Sequence, residues 1–308
     1  MVLDNEQVYY ALIDIANGLL TGTMLGGYYA MIAIGLALNF GVMRLVNLAH
    51  GDWLIVAAYV AATLVTLLPV SPFWMFVPVV PLMYLVGYVL QRLVLNRVSV
   101  QAMERRGMSA SFGLMSPLLV TFGMSIVIAQ ALLGVYDSNA RSISNELSFA
   151  AIRLGEDLSV SVLRLIFFFI AVAILLLLHR FLHATHIGRA IRAASDDIEV
   201  APLMGMSTAH VYATASGIAL AIAGVAGIMI GMSRTFQPFD GPQFLLVAFG
   251  VVIIGGLGSI KGSLVGGVLL GIVQVLSGTY FGPSAQLVGG YMLILLVLAF
   301  KPKGLFGQ

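Results

Sequence analysis

The run Val162–Leu182, VLRLIFFFIAVAILLLLHRFL, carries a single charged residue, Arg164, before its last four positions. Twenty-one residues of α-helix rise about 31 Å, close to the roughly 30 Å hydrocarbon core of a bilayer. Only a helix or a closed barrel satisfies its backbone polar groups in lipid, so the run reads as a transmembrane helix. Comparable runs recur near 27–43, 51–70, 73–95, 112–135, 209–233, 244–257, 262–278 and 287–300. The whole chain agrees: 60% of its 308 residues are hydrophobic, only 9% are charged, and mean hydropathy is +1.03. Soluble domains carry about a quarter charged residues. The expected fold class is therefore all-α, a polytopic integral membrane protein of eight to ten transmembrane helices.

Two segments leave alternatives open. In 8–25, Asp14, Asn17 and Thr21 recur at helical spacing and form one polar stripe, which suits either a span facing protein or a helix lying at the interface. Counting it as a span gives ten helices. The short runs within 244–278 read either as two spans or as a hairpin that crosses only partly. No stretch between spans is long enough for a soluble domain, so residues 1–308 read as one transmembrane domain with a cytoplasmic loop at 184–208. The N-terminal MVLDNEQVYY has two acids and no base, unlike a signal peptide, and is read as part of the mature protein.

Short cytoplasmic loops retain Lys and Arg. With 96–111 inside, alternation puts 44–50, 183–208, the turn at Lys261 and the tail KPKG inside too, and eleven of the fifteen basic residues then face the cytoplasm. The N-terminus is inside only if 8–25 crosses. A net charge of +2 points to no nucleic-acid partner, and with no cysteine there is neither a disulfide framework nor a thiolate metal site.

What the spans lack narrows the function. Ion-coupled transporters need ionisable groups within spans, whereas the polar groups here are Asn39, Thr63, Gln130, His179 and Gln274, with Asp14 in the open segment. GGLGSIKGS, Gly255–Ser263, resembles a phosphate loop, but Ile260 occupies the place of its second glycine. The chain therefore has no nucleotide site of its own. His179, His183 and His186 recur at i, i+4 and i+7 at a helix end, where they suit the dipole better than a metal. Small residues repeat every four positions at Ala215, Ala219, Ala223, Gly227 and Gly231, and at Gly258, Gly262 and Gly266, followed by Gly267 and Gly271. Such stripes serve close helix packing, or faces that slide.

Two polar stretches stand out. GVMRLVNLAHGDWL, Gly41–Leu54, concentrates Arg44, Asn47, His50 and Asp52 between two spans. It reads as a hydrogen-bonded turn at the cytoplasmic membrane surface, or as a broken-helix element in which Asn47 and His50 line an inner gate. The segment His186–Tyr212 is the longest charged cytoplasmic stretch, and its spacing predicts one or two short helices. Arg192 and Asp196 are four apart, Asp196 and Glu199 resemble a capping box, and Ser207 or Thr208 is placed to cap the next span. A small-residue face bordered by charges suits docking into a partner's groove, or a solvated connector.

The pattern G-R-A-x-R-A-x-x-x-D followed by A-x-x-x-G, at Gly188, Arg189, Ala190, Arg192, Ala193, Asp197, Ala201 and Gly205, resembles the ATPase-contacting loop of ABC importer permeases. Together with Ala16–Trp53 and Gly255–Gly267, it resembles the branched-chain amino acid permease family from about Asn17 to Gly304. That resemblance implies a fold akin to the vitamin-type importers and a place in the bacterial inner membrane. It implies a second, homologous permease subunit, two cytoplasmic ATP-binding subunits that hold the ATP and magnesium, and a periplasmic substrate-binding protein. It implies ATPase-coupling residues at Gly188, Arg189, Arg192, Ala193, Asp196, Asp197, Ala201 and Gly205. Asn39, Asn47, His50 and Asp52 are candidates for the translocation path or gate, and no catalytic or metal-binding residue is expected. Pro202 departs from a regular docking helix. Competing readings are a passive channel or facilitator for small polar solutes such as urea or amides, which has no need of the docking loop, and an intramembrane enzyme using His50 and Asp52. The second is disfavoured because residues two apart on a helix point in different directions.

Overall fold

In a computed structural model, the structure describes residues 5–44, 46–68, 70–98, 110–153, 159–196 and 207–307. They form an all-α bundle of ten α-helices and one small hairpin. The helices are α1 (Asn5–Met43), α2 (His50–Leu67), α3 (Phe76–Leu90), α4 (Ala110–Tyr136), α5 (Val162–Ala184), α6 (His186–Asp196), α7 (Thr208–Ser233), α8 (Gly241–Gly255), α9 (Ile260–Phe281) and α10 (Pro283–Phe300). Eight segments are helical, long and apolar enough to cross a membrane, and α8, at 15 residues, is a shorter apolar helix. The chain is a multi-pass membrane protein. The hairpin pairs β1 (Ala151–Arg153) with β2 (Ser159–Ser161), antiparallel, in the loop between α4 and α5.

The first correction to the sequence reading concerns 8–25 and 27–43, which are one continuous helix of 39 residues. Gly26 and Gly27 do not break it. They bring neighbours close: a methyl group on Gly26 would run into the backbone of Val268 on α9, and one on Gly27 into Phe168 on α5. Gly22 and Gly26 of α1 face Gly267 and Gly271 of α9, so both partners contribute small residues four apart to the most extensive helix pair in the molecule. The inner end of α1 lies at the turn after α8, where Gly41 meets Gly258.

The helix α7 is the centre of the bundle. It is buried along nearly its whole length and packs on α3, α2 and α1. Its small-residue stripe lets Ala219 approach Gly35 and Gly227 approach Leu54 and Ala57, which is the packing role expected of it. The run 244–278 is also resolved: α8 is short, whereas α9 has the 22 residues of a full span. Ser207 stands at the N-cap of α7, as its position suggested, but its hydroxyl makes no cap hydrogen bond.

Candidate functional site

Past Met43, Arg44 takes φ 51° and turns the chain back on itself. The Asn47 side chain accepts a hydrogen bond from the Ala49 amide at 3.0 Å, closing an Asx turn that launches α2 at His50. The Leu48 amide donates to Thr121 Oγ1 on α4 at 3.2 Å. His50 Nε2 then donates to the Ile32 carbonyl at 3.0 Å, a contact that fixes the Nε2–H tautomer. Ile32 lies eleven residues, about 16 Å, before the end of α1, so this contact holds the start of α2 well inside the bundle. Gly41–Leu54 thus contains a hydrogen-bonded turn, at Asn47–Ala49, but the turn is buried in the bundle. Only Arg44 sits at the inner end; the chain re-enters the bundle, and α2 starts in its interior.

The start of α8 meets the start of α2 there. Gly51 and Gly241 touch backbone to backbone, with Leu245 N beside them, and the Asp52 side chain lies against Gly241. Two helix N-termini, one of a helix running outward and one of a helix running inward, converge at depth. Asp52 is 1% exposed, and its two carboxylate oxygens lack a hydrogen-bond partner among the described residues although the Ser125 hydroxyl of α4 is beside them. Asp52 stands in the first turn of α2, at the start of the run 51–70 read as a span, so the burial of this carboxylate comes from how the helices pack and not from its place in the sequence.

Asn39 and Asn47 belong to a second polar patch nearer the inner end. Ser216 of α7 donates to Gln91 Oε1 at 3.0 Å, with Asn39 Oδ1 at 3.5 Å. Gln91 continues to Asn96 Oδ1, and Asn96 to the Ala209 carbonyl, each at 3.0 Å. Asn39, Asn47, Gln91, Thr121 and Ser216 line a small cavity with ≈10 Å³ of room for the centre of a water molecule, and the Asn39 amide nitrogen has no partner among the described residues. One ordered water fits such a space. His50 and Asp52 are therefore not brought together with Asn39 and Asn47 in one pocket: His50 faces α1 and Asp52 faces α8. Gln91, Ser125 and Ser216 escaped the sequence reading. A polar residue within an apolar run was the available signal, and it was followed only for Asn39, Thr63, Gln130, His179 and Gln274.

At the end of α5, α6 follows after the single residue Thr185, whose hydroxyl accepts from the Gly188 amide at 2.9 Å. Gly188 packs against Phe181 and Leu182, where a side chain has no room. Arg192 donates through Nε to the Leu182 carbonyl at 2.9 Å, and Arg189 reaches the Ala184 carbonyl at 3.4 Å. Both arginines thus serve the carbonyl-rich end of α5. Ser195 hydrogen-bonds to the Gly41 carbonyl and ties α6 to the end of α1. Ile191 and Ala194 are buried, while Arg189 and Ala193 are exposed. Asp196 ends the helix; Asp197, Ala201, Pro202 and Gly205, with the Glu199 capping box, lie outside the described residues. The His179 and His183 rings lie with centroids 4.1 Å apart and planes tilted by 43°, and His183 Nδ1 bonds to the His179 carbonyl at 2.8 Å.

The described residues thus form a multi-pass helical bundle in which the starts of two helices meet in the interior and the short helix α6 ties the ends of α5 and α1 together. The sequence profile of the family described as "Branched-chain amino acid transport system / permease component" matches residues 18–300, and the chain belongs to that family. Curated relatives of similar length include the high-affinity branched-chain amino acid transport system permease protein BraD of Pseudomonas aeruginosa, 29% identical over 98% of this chain and 97% of its own. Another is LivH of Escherichia coli K12, a permease protein of the same description, 28% identical over 99% and 98%. LivM, a second permease protein of that description from the same organism, is 25% identical over 90% of this chain and 67% of its own length.

Proposed function

We propose that this chain is the membrane-spanning permease subunit of an ATP-driven importer for branched-chain amino acids in a bacterial inner membrane. Residues 1–308 serve as one transmembrane domain and supply one wall of a path whose other wall is a related permease. The energy comes from two cytoplasmic ATPases that hold ATP and magnesium, and substrate arrives on a periplasmic binding protein. The observation that carries this reading is likeness along nearly the whole chain to both LivH and LivM of one organism. It is what a pair of related permease subunits would leave in sequence.

The geometry supports a division of labour. The segment 184–208, with Gly188, Arg189, Arg192, Ala193, Asp196, Asp197, Ala201 and Gly205, takes up the motion of the ATPases. Because α6 is hydrogen-bonded to the ends of α5 and α1, a push on it reaches two spans directly. Asn39, Asn47, His50 and Asp52, on and around the re-entrant start of α2, act as path or gate. The test is leucine uptake into liposomes holding the permease pair and its ATPases. Uptake that requires ATP and the binding protein is expected. Uptake that runs down a gradient without either, or a tagged chain that never retains an ATPase on purification, would leave the passive facilitator as the better reading.

A further inference from the structure

Among the described residues, Asp52 is the only buried carboxylate. Burying an acid without a cationic partner inside a membrane bundle is costly, and such residues are retained where something must be bound or moved. Among the described residues neither Asp52 oxygen makes a well-formed hydrogen bond, although the Ser125 hydroxyl and the backbone at Asp52 itself are close by. Its neighbours are the Gly241 backbone at the start of α8 and the Ser125 hydroxyl. A carboxylate only accepts, so what it lacks is a donor, and the strongest complement is a positively charged one. The start of α8 offers the opposite through the positive end of its helix dipole, which suits an anion, although Pro242 has no N–H and the Gln243 and Phe244 amides already donate to the Asp240 carbonyl. An acceptor and a helix N-terminus within one side chain's reach match the two ends of a zwitterion. The cover on the α4 side is light, because α4 packs substantially only on α2.

We propose that Asp52 holds the ammonium group of an α-amino acid in transit, with the start of α8 facing the substrate carboxylate. This rests on the amino acid reading above and deepens it: the site selects a zwitterion over neutral solutes such as urea or amides. The experiment uses the complete importer in liposomes with its leucine-loaded binding protein. If the unaltered importer takes up no leucine, the function reading itself fails. If it does, Asp52→Asn is expected to slow uptake at least tenfold while ATP hydrolysis stimulated by the loaded binding protein stays within twofold, and Asp52→Glu is expected to restore uptake to within threefold. Uptake by Asp52→Asn within twofold of the unaltered importer overturns the proposal. Should Asp52→Asn not assemble, the double variant Asp52→Asn with Ser125→Asp returns a carboxylate to the same space from α4. Assembly with measurable ATP-dependent uptake supports the proposal, and failure of either overturns it.

Discussion

Gly51 and Gly241 let two helix backbones touch beside a buried carboxylate, and that contact leaves no volume for a methyl group. A Gly241→Ala chain must push α8 off α2 and Asp52, which by analogy with overpacked cores costs about 1–3 kcal/mol. Gly123, on α4, has nothing within 4 Å of where a methyl group would stand. There the same change removes only the glycine's poor helix propensity, so Gly123→Ala is expected to be neutral or to stabilise by up to about 1 kcal/mol. Thermal unfolding of the two detergent-solubilised variants measures the contrast. Equal midpoints would mean that the close approach of α2 and α8 is not a tight one. Tyr29 makes a smaller test: its hydroxyl donates to Gln274 Oε1 at 2.6 Å between α1 and α9. Tyr29→Phe should cost roughly 0.6–1 kcal/mol, the worth of an interhelical hydrogen bond in a membrane.

At the scale of elements, α6 gives the clearest prediction. Arg192 spends its Nε–H on the end of α5, so its charge contributes less than its geometry. Arg192→Lys keeps the charge but loses the planar fork and is expected to cut ATP-driven uptake severalfold, as is Ser195→Ala, which frees α6 from α1. Both variants should insert normally, and the ratio of substrate carried to ATP hydrolysed is the readout. An unchanged ratio in both would show that α6 does not transmit through these two ties. The same element shows how far sequence reading goes. Spacing alone predicted a short amphipathic helix here, because i, i+4 periodicity is a local property. That Arg192 would cap α5 was not legible, since it depends on the angle between two helices. The break read between 8–25 and 27–43 misled for a related reason: the partners that fill the space at Gly26 and Gly27 are Val268 and Phe168, about 240 and 140 residues away. Hydropathy also could not set the depth of His50, which only its contact with Ile32 reveals.

For the whole molecule, the number of crossings decides which side each end occupies. Counting α8 with the eight candidate spans gives nine crossings among the described residues, and an odd count puts the two ends on opposite sides. If α8 did not cross, the count would be eight and the ends would share a side. At 15 residues α8 is about 22 Å long, short of the full core. It nevertheless runs from the interior contact of Gly241 with Asp52 to the inner turn where Gly258 meets Gly41, and Arg141 pairs with Phe236 in the loop that feeds it. That loop sits at the outer end, so α8 completes the passage that the loop begins. The basic tail at Lys301 and Lys303 then falls inside and the start of α1 outside. The chain has no cysteine, so single replacements report cleanly. In right-side-out vesicles, a membrane-impermeant thiol reagent should label Tyr9→Cys, a position on α1 that is 56% exposed, and should reach Lys303→Cys only after the vesicles are opened. Labelling of both before opening would mean eight crossings and remove α8 from the set of spans, and with it the convergence of two helix starts at Asp52.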